Sequence, residues 1–374
     1  MNLILVKPYP GAMRRKRWLR DLSLQLALLL LALGLAVAAG EVVARRRYPN
    51  LRLDAMRQSR PEDLFMRFDP HMGWVNVPGR QVRFRRIDFD TQVAINPDGL
   101  RGPQIPLERA PGRSRILLLG DSFAFGHGVN DEETSAHALS RLLPATDVVN
   151  LGVTGYSTDQ ELLLLRERGL DWQPDLVILY LCANDLLDNG KEFAWGLYWK
   201  PRFVLSGDSL HLERTVLPER VPARVRLQRE IHRHFVLYDV LSWQWARLRS
   251  RPTPGGLRPA LDESAGSVTP RSEAHRVTRR LLLEMIQLCH ARGIPFLLVV
   301  VPPFPAPDLL TDLPPPGTGA RLDLTPVLAA YQEAHPDSAL GFRYDTHWNA
   351  RGHRVVAQAI AGVVRDQGWW PRSQ

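Results

Sequence analysis

A serine, a histidine with an aspartate two residues before it, an asparagine and paired glycines stand in four short blocks of the chain. The blocks are Gly120-Asp121-Ser122, Asn150-Leu151-Gly152-Val153-Thr154-Gly155-Tyr156, Leu181-Cys182-Ala183-Asn184-Asp185 and Asp345-Thr346-His347-Trp348-Asn349. Those residue types suffice for acyl transfer through a nucleophile. The chemistry needs a nucleophile, a base within reach of it, a group that fixes the base's tautomer, and N–H donors aimed at the developing oxyanion. Ser122, His347 and Asp345 can fill the first three roles. The backbone N–H groups of Ser122 and Gly155 and the Asn184 side-chain amide can supply the donors. Singly, each block is commonplace, because glycines and Asn-Asp pairs mark turns and Gly-Asp-Ser arises by chance. The weight comes from finding all four in order within one domain.

These blocks need a frame that brings them to one edge. Ile116 to Leu119 is an apolar run that stops at Gly120, as a buried strand running into a tight turn does. Strands are expected at 115–119, 147–151, 175–182 and 295–301, with helices near 132–143, 158–169, 272–292 and 350–364. Such alternation predicts a parallel α/β sheet, whose ligands bind at the carboxyl ends of the strands. The first three blocks fall at those ends, and the fourth immediately precedes the last helix. Residues 186–271 interrupt the alternation as an insertion. Within it Val225–Leu248 reads as one amphipathic helix, and 251–271, rich in Pro, Gly and Ser, reads as an exposed loop. Residues 44–112 read as a β-rich lead-in, with a strand over Gln81–Asp90, a short one at Val93–Ile95, and a loop at Asp69–Trp74. The role expected of this lead-in is to cover an edge of the main sheet, with shaping a substrate cleft as the alternative.

Composition narrows the class. The 374 residues are 45% hydrophobic and 23% charged, as in a globular protein, with a formal net charge of +9. The Arg excess is scattered and no nucleic-acid motif accompanies it, which argues against nucleic acid as partner. Lys7, Arg14–Arg17 (with Lys16) and Arg20 lie in a basic tail, 1–20, ahead of an apolar run at 21–43 that Arg45, Arg46 and Arg47 close. The run approaches the ~20 residues that span a bilayer. The heavier charge on its N-terminal side predicts a cytoplasmic tail and an exported catalytic part. A cleaved signal peptide, with Ala36-Val37-Ala38 as its site, is the alternative. Cys182 and Cys289 form no redox or metal motif and read as buried thiols.

No cofactor fingerprint is present: Gly120–Gly128 lacks the Lys-Ser/Thr of a phosphate loop. No metal signature appears either, and Asp345, His347 and His353 make a poor metal set. His232 and His234 fall on different helix faces. Asp121 is expected to brace the nucleophile turn, Asp185 and His353 to be structural, and His127 to be a loop residue, with a substrate contact as its alternative. Trp195, Tyr198 and Trp199 are expected to pack rather than to bind substrate.

The four blocks together resemble those of the SGNH/GDSL hydrolase superfamily, over roughly residues 113–367. The resemblance implies a flavodoxin-like three-layer α/β/α fold and serine-based esterase or acyltransferase chemistry without a cofactor. It implies Ser122 as nucleophile, Gly155 and Asn184 as oxyanion donors beside the Ser122 N–H, and His347 as base. Two positions depart from the family pattern. Phe123 stands where leucine is usual, and Tyr344 stands where the acid is usual, three residues before His347. Asp345, two before, is then the acid expected. Its Asp-x-His-Trp spacing is similar to that of alginate-type polysaccharide O-acetyltransferases. The expectation is a membrane-anchored ester hydrolase acting outside the cytoplasm on an ester or O-acylated carbohydrate. The alternatives are an O-acetyltransferase or deacetylase of cell-surface polysaccharide, and a non-catalytic carbohydrate-binding module.

Overall fold

The computed structural model describes residues 10–48, 65–86, 88–194, 198–213, 215–220, 222–249, 273–343 and 345–370. The loop expected at 251–271, Trp195 and Tyr344 lie outside these residues, as does the side chain of His232. The chain divides into two compact units.

The smaller unit contains α1 (Pro10–Arg47), whose apolar stretch leaves Leu26, Leu28, Leu29, Leu30, Leu31, Leu33 and Leu35 exposed. Trp18–Arg47 of α1 is long and apolar enough to cross a membrane.

In the larger unit, two antiparallel hairpins open the chain: β1 (Met66–Asp69) with β2 (Gly73–Asn76), and β3 (Gln81–Arg85) with β4 (Asp90–Ala94). The expected loop at Asp69–Trp74 is thus a hairpin turn, in which the Asp69 carboxylate accepts from the N–H groups of His71 and Met72. The expected long strand at Gln81–Asp90 folds back on itself after Arg85. There Arg83 and Arg85 both pair across the hairpin with Asp90.

The alternation that follows runs β5 (Ser114–Leu119), α2 (Ser122–Phe125), α3 (Ser135–Leu142), β6 (Thr146–Asn150), α4 (Thr158–Glu167), β7 (Leu176–Leu181) and α5 (Ala183–Asp188). Two short hairpins come next in the insertion, β8 (Phe193–Ala194) with β9 (Tyr198–Trp199) and β10 (Phe203–Ser206) with β11 (Ser209–Leu212). Then come α6 (Ala223–His234) and α7 (Val236–Arg249), the latter within the smaller unit. The single helix expected over Val225–Leu248 breaks at Phe235, where α1 supplies partners for the backbone. The Arg45 guanidinium takes the His234 carbonyl, and the Glu41 carboxylate takes the N–H groups of Val236 and Leu237. Side chains of α1 thereby satisfy backbone groups that an unbroken helix would pair internally. The chain closes with α8 (Glu273–His290), β12 (Phe296–Val300), β13 (Gly319–Asp323), α9 (Leu324–Ala334) and α10 (Ala350–Asp366).

Five strands form one parallel sheet in the order β13-β12-β7-β5-β6. Counted along the chain this is 2-1-3-4-5, the flavodoxin-like order. All of Leu176–Leu181 is buried, because the central strands are covered on both faces, which is why they read as unbroken apolar runs. One face turns Ile116, Leu118, Ile178 and Leu297 toward α3 and α10. The other turns Leu117, Leu119, Val177 and Leu298 toward α4 and α8. The result is the three-layer α/β/α architecture.

Among the described residues the lead-in forms its own hairpins and adds no strand to this sheet. Its Phe65, Trp74, Phe84 and Phe89 join the core on the α4 side. The Trp74 indole donates to the Thr154 carbonyl, and the Tyr156 hydroxyl donates to the Trp74 carbonyl at 2.6 Å. Those contacts lock the lead-in onto the loop after β6, at the carboxyl end of the sheet.

Candidate active site

Ser122 begins the turn that leaves β5, the strand at the reversal point of the sheet order. The preceding Gly120 has φ +148°, and a Cβ there would lie 2.8 Å from Ala124 Cβ and 3.0 Å from Tyr180 Cβ. A larger residue would therefore force α2 away from the strand. The Asp121 carboxylate accepts from Phe123 N–H at 2.9 Å and from the Cys182 thiol at 3.3 Å, so it braces the turn. The second block ties in from the side. The Asn150 amide donates to the Ala124 carbonyl, and its oxygen accepts from Gly152 N–H. Gly152 itself stands so close to the Ala124–Phe125 backbone that no Cβ fits.

His347 and Asp345 lie on the loop before α10, which the Asn349 side chain caps through the N–H groups of Arg351 and Gly352. A short bridge, in which Phe342 N–H donates to the His347 carbonyl, fixes the loop. Ser122 Oγ–H donates to His347 Nε2 at 2.7 Å. On the other side of the ring, His347 Nδ1–H donates to Asp345 Oδ1, which also accepts the His347 backbone N–H at 3.0 Å. A spacing of two residues is thus enough for the carboxylate to reach Nδ1.

Two residues of the lead-in hold Asp345, one at its carboxylate and one at its backbone N–H. Arg86 Nη1 donates to Asp345 Oδ2 at 3.0 Å, and Asp345 N–H donates to Asp88 Oδ2 at 2.8 Å. Burial alone would raise the Asp345 pKa. The hydrogen bond and positive charge offered by His347 outweigh it and hold the carboxyl well below the usual range. Arg86 and Asp88 were beyond sequence reasoning, since nothing in a charged strand announces a partner so distant.

Gly155, at φ +81°, lies in the loop after β6, and Asn184 lies at the start of α5 after β7. β5, β6 and β7 are adjacent and parallel, so both reach the same edge as Ser122. The Asn184 amide is 3.5 Å from the Tyr156 carbonyl, a weak bond at the limit of the geometry. Asp185 caps its own helix by accepting Cys182 N–H at 2.7 Å, and His353 accepts Ser135 N–H through Nδ1 at 3.3 Å. Burial drives the His353 pKa down to about 3. Tyr198 packs against Trp74, and Trp199 against Phe193.

His127 lies in the turn after α2, a loop residue as read from sequence, and its ring is buried against His347. His127, Asp345 and His347 offer ligand atoms within 4.8 Å of one another. The two imidazoles, however, are stacked with centroids 4.3 Å apart and planes at 29°. Ring lone pairs lie in the ring plane, so near-parallel stacked rings cannot both aim at one ion, and the cluster makes a poor metal site.

A serine at the carboxyl edge of a 2-1-3-4-5 parallel sheet, joined to a histidine from the last loop, defines the class: an SGNH-type, ester-acting enzyme. The chain belongs to the GDSL-like lipase/acylhydrolase family, whose sequence profile matches residues 118–355. No curated protein matches it. Among solved structures it is similar to a lipolytic protein of the G-D-S-L family from Desulfitobacterium hafniense DCB-2, at 11% identity and a TM-score of 0.39, covering 67% of this chain and 99% of that one. The esterase EstA from Pseudoalteromonas sp. is 11% identical, with a TM-score of 0.37 and coverage of 68% and 98%. Axe2, an acetylxylan esterase from Geobacillus stearothermophilus, is 15% identical, with a TM-score of 0.35 and coverage of 71% and 100%.

Proposed function

We propose that this chain is a membrane-anchored serine ester hydrolase in which Ser122 is the nucleophile, His347 the base and Asp345 the acid. The observation that carries the reading is the continuous chain from Ser122 Oγ through both nitrogens of His347 to Asp345 Oδ1. His347 Nε2 takes the Ser122 proton as Oγ attacks the ester carbonyl. The resulting imidazolium is paired with Asp345, whose lowered pKa keeps it ionised. The oxyanion rests on the N–H groups of Ser122 and Gly155 and on the Asn184 amide. Collapse expels the alcohol, which takes its proton from His347 and leaves the acyl group on Ser122. Water, deprotonated by His347, then releases the acid and restores the serine.

Domain limits follow the same reading: tail 1–20, anchor 21–43, lead-in 44–112 and hydrolase domain 113–367 with its insertion at 186–271. The exposed leucines of α1 and the heavier basic charge before them support an anchor with the catalytic domain on the outer side.

One observation favours a second outcome for the acyl-enzyme. The acid stands two residues before His347, the spacing similar to that of alginate-type O-acetyltransferases, so transfer of acetyl to a glycan hydroxyl is the alternative to hydrolysis. Labelling by a fluorophosphonate, in which Ser122 Oγ displaces fluoride from phosphorus, tests the nucleophile. A labelled Ser122 with an inactive Ser122→Ala variant is expected, and normal turnover of an activated acetyl ester by Ser122→Ala would overturn the assignment. An isotopically labelled acetyl donor, followed into acetate or into glycan, separates the two fates.

A further inference from the structure

His127 touches every member of the Ser122, His347 and Asp345 set, yet no acyl-transfer step uses it. Its backbone N–H donates to the Ser122 carbonyl at 3.0 Å. Its ring stacks on His347. Its Nε2 lies 3.8 Å from Asp345 Oδ2, the carboxylate oxygen that His347 leaves unused. Phe84 and Phe89 close the remaining sides edge-on, with centroids at 5.1 and 5.5 Å. The placement is rigid. Gly126 and Gly128, on either side, have φ of +85° and +83°, and a Cβ on Gly128 would come within 2.7 Å of Phe342 and 2.8 Å of Phe89.

The residue type is what needs explaining. The ring is only 5% exposed, and neither nitrogen has a hydrogen-bond partner among the described residues. Leaving an imidazole unpaired in a dry site costs stability that a phenylalanine would not cost. Burial, the charge on His347 and the Arg86 guanidinium all push the His127 pKa well below the usual imidazole range, against the pull of Asp345. The ring is therefore neutral, and an N–H turned toward a carboxylate oxygen is its favoured tautomer.

We propose that His127 is a positioning residue, whose ring is the wall that keeps His347 in the plane joining Ser122 to Asp345, with its Nε2–H facing Asp345 Oδ2. The inference rests on the Ser122, His347 and Asp345 reading. Two consequences follow. Without the wall, His347 gains rotational freedom away from Ser122 in the acylation step. Neutrality also matters, because a charged His127 would repel the imidazolium that forms beside it.

The test compares His127→Ala, which removes ring and N–H, with His127→Phe, which keeps only the wall, in the full-length enzyme on an activated acetyl ester. His127→Ala should lose roughly 10²-fold in kcat, the cost of a misplaced catalytic group, with KM within about twofold. His127→Phe should keep kcat within about tenfold of the parent. An unchanged kcat in His127→Ala overturns the proposal. So does a loss carried by KM, which would make His127 a substrate contact. So does a His127→Phe enzyme that melts like the parent yet loses 10²-fold, and this last comparison decides alone if His127→Ala does not fold. Fluorophosphonate labelling of Ser122 in the parent, run in parallel, tells failure of the His127 inference from failure of the underlying reading.

Discussion

Arg86, at the turn of the β3–β4 hairpin, reaches Asp345, 259 residues later, with Nη1 3.0 Å from Oδ2. The two side chains are 22% and 9% exposed, so the pair is largely shielded from water. A charge-assisted hydrogen bond in such a place is worth about 1.5–3 kcal/mol. If that energy orients the acid, Arg86→Ala should lower kcat by about 10–10²-fold with little change in KM. Arg86→Lys should recover only part of it, because an ammonium lacks the planar fork. Steady-state kinetics on an acetyl ester decide the point: full kcat in Arg86→Ala would reduce the hairpin to a packing element.

Asp345 accepts from both the ring and the backbone of His347, which leaves little slack in the loop. Asp345→Asn keeps the shape but offers an amide where a carboxylate held Nδ1–H. The expected loss in kcat is roughly 10³–10⁴-fold, the scale known for an acid that sets a histidine's tautomer. The fluorophosphonate labelling rate of Ser122 should fall with it. Equal labelling rates in parent and variant would show that another group supports His347.

The sheet and its serine were legible because they depend on local signals. Leu176–Leu181 is buried on both faces and so is written as an apolar run, and Gly120 is required by one turn. β13 was missed because it is an edge strand with a single neighbour, and its Arg321 and Asp323 are exposed. The break at Phe235 was missed because its cause lies in Glu41 and Arg45 on α1. His127 and Arg86 show the same limit inside the site. Each looks like a loop or strand residue in its own segment, and each gains its meaning only where the lead-in, the nucleophile turn and the last loop meet.

Glu161, on α4, is fully buried, and neither of its carboxylate oxygens has a hydrogen-bond partner among the described residues. Burial first, then the nearby Asp185, Asp121 and Asp159, raise its pKa well above the ordinary glutamate value. The folded pKa therefore exceeds the unfolded one. The stability linked to Glu161 is fully present below the unfolded pKa and is lost as pH rises toward the folded pKa. Glu161→Gln, a neutral isostere, should be close to neutral at pH 4. Above that its advantage should grow, by up to about 1.4 kcal/mol per pH unit until the folded pKa is passed. Thermal unfolding of both proteins from pH 4 to pH 9 measures this, and a Tm difference that does not vary with pH would contradict it.

Asn184 offers the last test. Its amide lies 3.5 Å from the Tyr156 carbonyl and also hydrogen-bonds the Asp121 carboxylate, and a developing oxyanion would compete with these resting partners. An oxyanion donor acts in the transition state and not in the ground state. Asn184→Ala should therefore lower kcat by roughly 10²–10³-fold while KM stays within a few-fold. The bond to the Asp121 carboxylate predicts a Tm lower by a few degrees, since about 1.5–3 kcal/mol is at stake in the resting fold. The two measurements pull apart the competing roles. A large fall in Tm with kcat per folded enzyme retained would make Asn184 a structural cap at the start of α5, and the oxyanion would then have to rest on backbone N–H groups alone.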